Sequence, residues 1–290
     1  MSATSGKLED LGFSESQKKA LLTLLADDDQ EVFEQIRETI VDRGAAAAEW
    51  LQDYTLDSDP ILRKRVRGIV AHFELQIADT NFLRFCLSKG EKFDVEEGAW
   101  LLAKTRYSDI NVAAYSAVLD EYAEKLKDRI DFGAPPGQIL RTISYYLYHD
   151  MGYVGNVTNY YDPENSYLNR VVDNKTGNPI SLSAIYLFVA QRLHLPLVGI
   201  GMPGHFICRF QSSKEEIYID PFQQGKMMTK GQCIKMLIQS GHDYHESFIA
   251  PISPRRMLLR ICSNLQHAYT TQDQPAEGTR LQRYIIALSK

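Results

Sequence analysis

Two residues, His205 and Asp220, have the types and spacing to work as one chemical unit. The runs His205–Phe210 and Glu215–Asp220 flank the polar stretch Gln211-Ser212-Ser213-Lys214, which predicts a hairpin with a four-residue loop. That register sets Phe210 opposite Glu215, Arg209 opposite Glu216, Cys208 opposite Ile217, Ile207 opposite Tyr218, Phe206 opposite Ile219 and His205 opposite Asp220. Arg209 and Glu216 become an opposite-charge cross-strand pair. Phe206, Cys208, Ile217 and Ile219 share the core face, and His205 and Asp220 share the other. A carboxylate beside an imidazole fixes the ring tautomer and supports its positive charge. The same pair also occurs as a plain structural hydrogen bond, so residue types alone leave both readings open.

A partner for this pair would come from the segment before it. Asn178 is a good helix N-cap, and Pro179 suits the first helical position, where a missing N–H costs nothing. From Pro179 to about Leu193 the chain is apolar nearly all round, which predicts a buried helix. Its N-terminus would favour an anion or an oxyanion. Ser181 and Ser183 fall in its first turns, roughly 200° apart around the axis, so at most one faces His205. Such a serine could act as a nucleophile, or it could bond nearby backbone as serines in a first turn commonly do. Cys208 points to the core face and reads as a small buried hydrophobe.

The elements that must hold these groups are mostly helical. Ser14 caps a first helix, and Asp27-Asp28-Asp29 is a turn leading into a second. Gly44 breaks the second helix, Ala45–Tyr54 forms another around Trp50, and Asp59-Pro60 starts one more through Phe73. Helices over 94–104 and 113–126 follow. These short pairs resemble HEAT-like units, without a clean internal repeat. Lys64, Arg65 and Arg67 read as a solvated basic face. Gly133-Ala134-Pro135-Pro136-Gly137 reads as a linker.

After the linker come an aromatic helix over 139–148, an irregular glycine- and tyrosine-bearing stretch to Tyr161, and a short helix from Asp162-Pro163. Tyr160, Tyr161, Asn165 and Asn169, with Asn178 and Pro179, are candidate binding residues lining a wall or lid; packing and capping are the alternative. Leu197–Met202 reads as a buried strand, Pro221–Gly225 as a turn and Thr229–Ser240 as a helix. His242 and His245 lack a third ligand at suitable spacing, so no metal site is expected. Residues 254–269 and 275–288 form a helical hairpin that resembles a single tetratricopeptide-like pair and would serve as a brace. The domain reading is a helical region over 1–132, a core over 138–250 and the hairpin over 251–290.

At this level the residues match a family. GNPISLSAIYLFVAQRLHLPLVGIGMPGHFICRF followed by YIDPFQQGKMM resembles the transglutaminase-like superfamily of papain-type Cys-His-Asp enzymes, and within it the SirB-type bacterial subgroup. DVEEGAWLLAKTRYSDINVAAYSAVLDEYA, YYDPENSYLNRVV and PRRMLLRICSNLQHAY extend the resemblance over nearly the whole chain. It implies that His205 matches the catalytic histidine and Asp220 its acidic partner. It also implies that Pro179 stands where active relatives carry cysteine, so the usual nucleophile is missing.

Composition narrows the function classes. The chain has 290 residues, 44% hydrophobic, enough for a substantial core. A net charge of −5 argues against non-specific nucleic-acid binding. The four cysteines, Cys86, Cys208, Cys233 and Cys262, are scattered and read as reduced thiols of a cytoplasmic protein. Met1–Lys7 has no apolar run, and no stretch reaches the ~18 apolar residues of a membrane span. The expected fold is α+β: helical N-terminal region, transglutaminase-like core with a small antiparallel sheet, C-terminal helical hairpin. The expected function is a binding or regulatory module for a protein or peptide partner, without cofactor. The alternative is an acyl-transfer enzyme or amide hydrolase with Ser181 or Ser183 as nucleophile, and a third class is a structural adaptor.

Overall fold

The computed structural model describes residues 12–88, 94–212 and 215–290, the Ala45 side chain apart. The Met1–Lys7 reading, and Ser213 and Lys214 of the hairpin turn, lie outside the described residues. The architecture is α+β, and the chain divides into two compact units. One holds residues up to Thr80 with Lys104–Asp109; the other holds Asn81–Ala103 and Ile110–Lys290. The division falls inside a helix, and the glycine-proline stretch 133–137 lies within the second unit.

Capping residues set the helix starts of the first unit. Ser14 and Gln17 form a reciprocal capping box on α1 (Glu15–Leu25), and Asp29 caps α2 (Gln30–Val41). Gly44 precedes α3 (Ala45–Gln52) with φ 69°, a conformation that suits glycine. Asp59 accepts from Ile61 and Leu62 at the start of α4 (Pro60–Leu87). At 28 residues α4 runs well past Phe73 and spans the division between units. Leu25, Ile40, Leu51, Val66 and Ile69 close the core of this unit. Lys64 and Arg67 are exposed, as a solvated basic face requires, while Arg65 and Arg67 also donate to the carbonyls of Leu25 and Thr55, tying down turns.

The second unit begins with α5 (Val95–Lys104) and α6 (Val112–Lys127). Then α7 (Pro136–Ser144) opens at a proline and runs on into a π-helical turn, Tyr145–Asp150. A two-residue strand β1 (Val154–Gly155) pairs in parallel with β2 (Thr176–Gly177), with α8 (Leu168–Asn174) between them. The buried helix is α9 (Pro179–Arg192). Its last turn is anchored by Arg192, which donates to both Glu96 oxygens (2.6 and 2.9 Å) and to Asp120 (2.6 Å). A cation at a helix C-terminus also suits the helix dipole.

The main sheet has four strands in the order β3 (Leu197–Ile200), β4 (Ile207–Gln211), β5 (Glu216–Asp220) and β6 (Lys226–Met228), all antiparallel. One face meets α9, where the Cys208 thiol donates to the Ser183 carbonyl at 3.7 Å. The other meets α10 (Lys230–Gln239), where Ile207, Tyr218 and Met228 pack with Cys233 and Leu237. The sheet is thus a layer between two helices. The closing pair, α11 (Pro254–Thr271) and α12 (Pro275–Leu288), belongs to the same unit. Among the described residues no helix is long and apolar enough to cross a membrane.

The hairpin pairing differs from the predicted one by two residues: Cys208 opposes Ile219, Arg209 opposes Tyr218, Phe210 opposes Ile217 and Gln211 opposes Glu216. The slip pairs Phe210 with apolar Ile217 where the predicted register set it against Glu215. A shift of two leaves every side chain on its expected face, because strand periodicity is two. Arg209 and Glu216 still meet, diagonally, at 3.6 Å. The short strands β1, β2 and β6 fall where the sequence suggested only loop and turn.

Candidate functional site

Two strand ends bring His205 and Asp220 together. Asp220 closes β5 and is wholly buried. Its Oδ1 accepts from the N–H groups of Phe222 (3.1 Å) and Gln223 (3.2 Å), capping a short 3₁₀ turn. Its Oδ2 lies 2.8 Å from His205 Nε2. His205 stands just ahead of β4, held by its N–H to the Met202 carbonyl at 3.2 Å. With Nε2 engaged, Nδ1 has no hydrogen-bond partner among the described residues.

Pro179 faces the same space. A cavity of about 200 Å³ is lined by His205, Pro179, Ile180, Asn178, Tyr160 and Tyr161, among others. A second hollow, on the side of Phe222 and Met202, shares His205, Pro179, Gly204 and Tyr160. The first helical position of α9 and the histidine therefore border both.

The serines are committed elsewhere. Ser181 Oγ donates to the Asn165 carbonyl at 2.6 Å and accepts the Asn178 N–H at 3.0 Å. Asn178 Oδ1 in turn accepts the Ser181 N–H at 3.0 Å, completing a capping box. Ser183 is wholly buried and its Oγ lies 3.4 Å from the Phe206 carbonyl. Neither hydroxyl is bonded to His205. Cys208 is fully buried, and burial pushes its thiol well above the ordinary range.

Of the other candidate binding residues, Tyr160 and Tyr161 border the cavity. Asn165 is buried behind it; its Nδ2 donates to the carbonyls of Asn159 (2.8 Å) and Tyr160 (3.1 Å), which holds the tyrosine loop. Asn169 is buried, its Oδ1 has no hydrogen-bond partner among the described residues, and it does not line the cavity. Asn178 lines it while donating to Ser166 Oγ at 2.7 Å. Edge-on ring contacts run from His205 to Phe222 (6.1 Å), Phe222 to Tyr160 (6.0 Å), Tyr160 to Tyr161 (5.2 Å) and Tyr161 to His267 (5.0 Å).

Sequence reasoning missed one wall. Arg260, Asn264 and His267 on α11 line the cavity. They recur at i, i+4 and i+7, a polar stripe opposite Leu258, Ile261 and Leu265, and that periodicity was the available signal. Among the described residues no group of three or more His, Cys, Asp or Glu is gathered for a metal; His242 and His245 are exposed in an irregular stretch.

The model describing the transglutaminase-like superfamily matches residues 113–263, which contain the His–Asp pair, α9 and much of α11. A UPF0162 protein of Xylella fastidiosa is 32% identical over 196 residues, 66% of this chain and 70% of its own. A UPF0162 protein of Pseudomonas aeruginosa is 23% identical over 215 residues, 70% of this chain and 74% of its own. F-box only protein 21 of Homo sapiens is 32% identical over 136 residues, 44% of this chain but 21% of its own. No solved structure matches the chain.

Proposed function

Because this chain belongs to the transglutaminase-like superfamily, we propose that it is a binding or regulatory module that uses the superfamily's cleft without its nucleophile. The observation that carries this reading is Pro179. It begins α9 and borders both hollows beside His205, at the position where the SirB-type resemblance expects cysteine. Proline has neither a nucleophilic side chain nor a backbone N–H to offer a developing oxyanion. The His–Asp pair then serves to shape and polarise a cleft rather than to activate a thiol. The partner is a protein or peptide. The segment shared with the F-box protein is 21% of that protein's length, so there it is one part of a larger chain.

The alternative is Ser-His-Asp acyl transfer or amide hydrolysis, and it needs a serine hydroxyl on His205. Against it stand the partners of Ser181 and the buried contact of Ser183 with the Phe206 carbonyl. A fluorophosphonate probe separates the two. The binding reading expects no labelled serine in the folded chain. Labelling of Ser181 or Ser183 that disappears in His205→Ala would overturn it.

A further inference from the structure

We propose that the cavity beside His205 receives a carboxylate on a peptide, either an acidic side chain or a chain terminus, with Arg260 as its counter-charge. This rests on the reading of the cleft as a binding site and names what it binds. Arg260 makes no ion pair with a carboxylate among the described residues, although it is half-buried in the cavity wall. Its one hydrogen bond among the described residues is a long one from Nη2 to the Met202 carbonyl, 3.4 Å, the same carbonyl that accepts the His205 N–H. That places the guanidinium against the turn carrying His205, with most of its five donors uncommitted. The guanidinium also acts on the Tyr160 phenol, opposing the upward push that burial gives it, so the cation lies near the cavity's aromatic rim. A half-buried guanidinium without a counter-ion favours a planar carboxylate that accepts two parallel bonds.

The rest of the wall fits that ligand. Asn264 and His267 lie on the same face of α11, and Ile180 brings the first turn of α9. Asp162 also lines the cavity, although its oxygens accept from the Glu164 N–H (2.9 Å) and Asn159 Nδ2 (3.0 Å). One permanent cation beside one carboxylate suits a monoanion better than a doubly charged phosphate. A volume of about 200 Å³ holds a side chain rather than a large ligand. Tyr160 and Tyr161, 37% and 47% exposed, provide flat rims on which peptide backbone or methylene stems can lie.

The test is an NMR titration of the full chain at constant pH, read at the ring signals of His205 and His267. The probes are N-acetyl-glutamate N-methylamide, N-acetylglycine, N-acetyl-glutamine N-methylamide and inorganic phosphate. The expected result is that a carboxylate probe moves both rings, and the tighter of the two identifies side chain or terminus. The uncharged glutamine analogue should bind at least about tenfold more weakly. Arg260→Gln should weaken the carboxylate probe by about tenfold or more, Arg260→Lys by less, and the glutamine analogue should lose less than the carboxylate in either variant. Equal binding of the glutamate and glutamine analogues, or indifference to Arg260→Gln, would overturn the carboxylate while leaving the cleft a binding site. Phosphate binding tighter than both carboxylates would overturn it in the same way. No shift with any probe would overturn the carboxylate and the binding reading together.

Discussion

Asp220 meets His205 on a diagonal across the hairpin, from the last residue of β5 to a residue two positions ahead of β4, with Oδ2 2.8 Å from Nε2. Its other oxygen caps the turn that follows. One buried carboxylate therefore closes the sheet end and orients the imidazole.

Asp220→Ala should lower stability by about 2–3 kcal/mol, because it removes a cap and leaves buried donors unpaired. Asp220→Asn should cost less, since an amide oxygen can keep the cap. Its NH₂ would then face Nε2 and drive the neutral ring to the Nδ1–H tautomer. Imidazole ¹⁵N shifts read this directly: Nε2–H in the parent chain, Nδ1–H in the variant. An unchanged tautomer would remove Asp220 as the group that orients His205.

Ser181 and Ser183 should behave differently. Ser181→Ala breaks the capping box and the bond to the Asn165 carbonyl, so the urea midpoint should fall by an amount worth about 1–2 kcal/mol. Ser183→Ala removes one long contact and should cost under about 1 kcal/mol. A reversed order would mean that the α9 start is held by something other than its cap.

Gly225 should resist substitution. Its φ is 74°, its N–H donates to the Asp220 carbonyl at 2.8 Å, and a Cβ there would overlap Ser144. Gly225→Ala should destabilise by more than about 1 kcal/mol through strain and overlap together. A variant of parental thermal midpoint would show that the turn after Asp220 can re-form.

The buried thiols predict an alkaline limit. Burial pushes Cys86 and Cys233 up to about 12 from an ordinary 9.0. Above pH 9 the unfolded chain loses these protons first, so stability is full below that point and falls as pH rises towards 12. The urea midpoint should drop between pH 8 and pH 10, and less steeply in Cys233→Ala.

What could be read in the sequence was local. Asn178 and Pro179 announce the start of α9 because caps and first-turn prolines act within one turn. The shared face of His205 and Asp220 survived a two-residue slip because face assignment depends only on parity. The slip itself leaves no mark in the sequence, since the Arg209–Glu216 pair forms across either register, directly or on the diagonal, and only burial of Phe210 against Ile217 separates the two. Strands of two or three residues, such as β1, β2 and β6, carry too little pattern to stand out. The bond from Ser181 to the Asn165 carbonyl and the approach of α11 to the cavity are tertiary, so nothing local singles out Arg260 on that helix.

The most direct measurement concerns Pro179. On the proposed reading, the cleft keeps a nucleophile position beside His205 and has lost only the nucleophile. Pro179→Cys should fold with a loss under about 1 kcal/mol, since proline at a first helical position is favourable but not required. The new thiol, at a helix start and beside an imidazole, should have its pKa lowered to between about 3.5 and 7.5. It should react with iodoacetamide at pH 6 well ahead of the four buried native cysteines, and faster than a control thiol at Leu56→Cys, where the parent side chain is 80% exposed. Adding His205→Ala should remove that advantage. A folded Pro179→Cys chain whose thiol reacts no faster than the Leu56→Cys control would contradict the account.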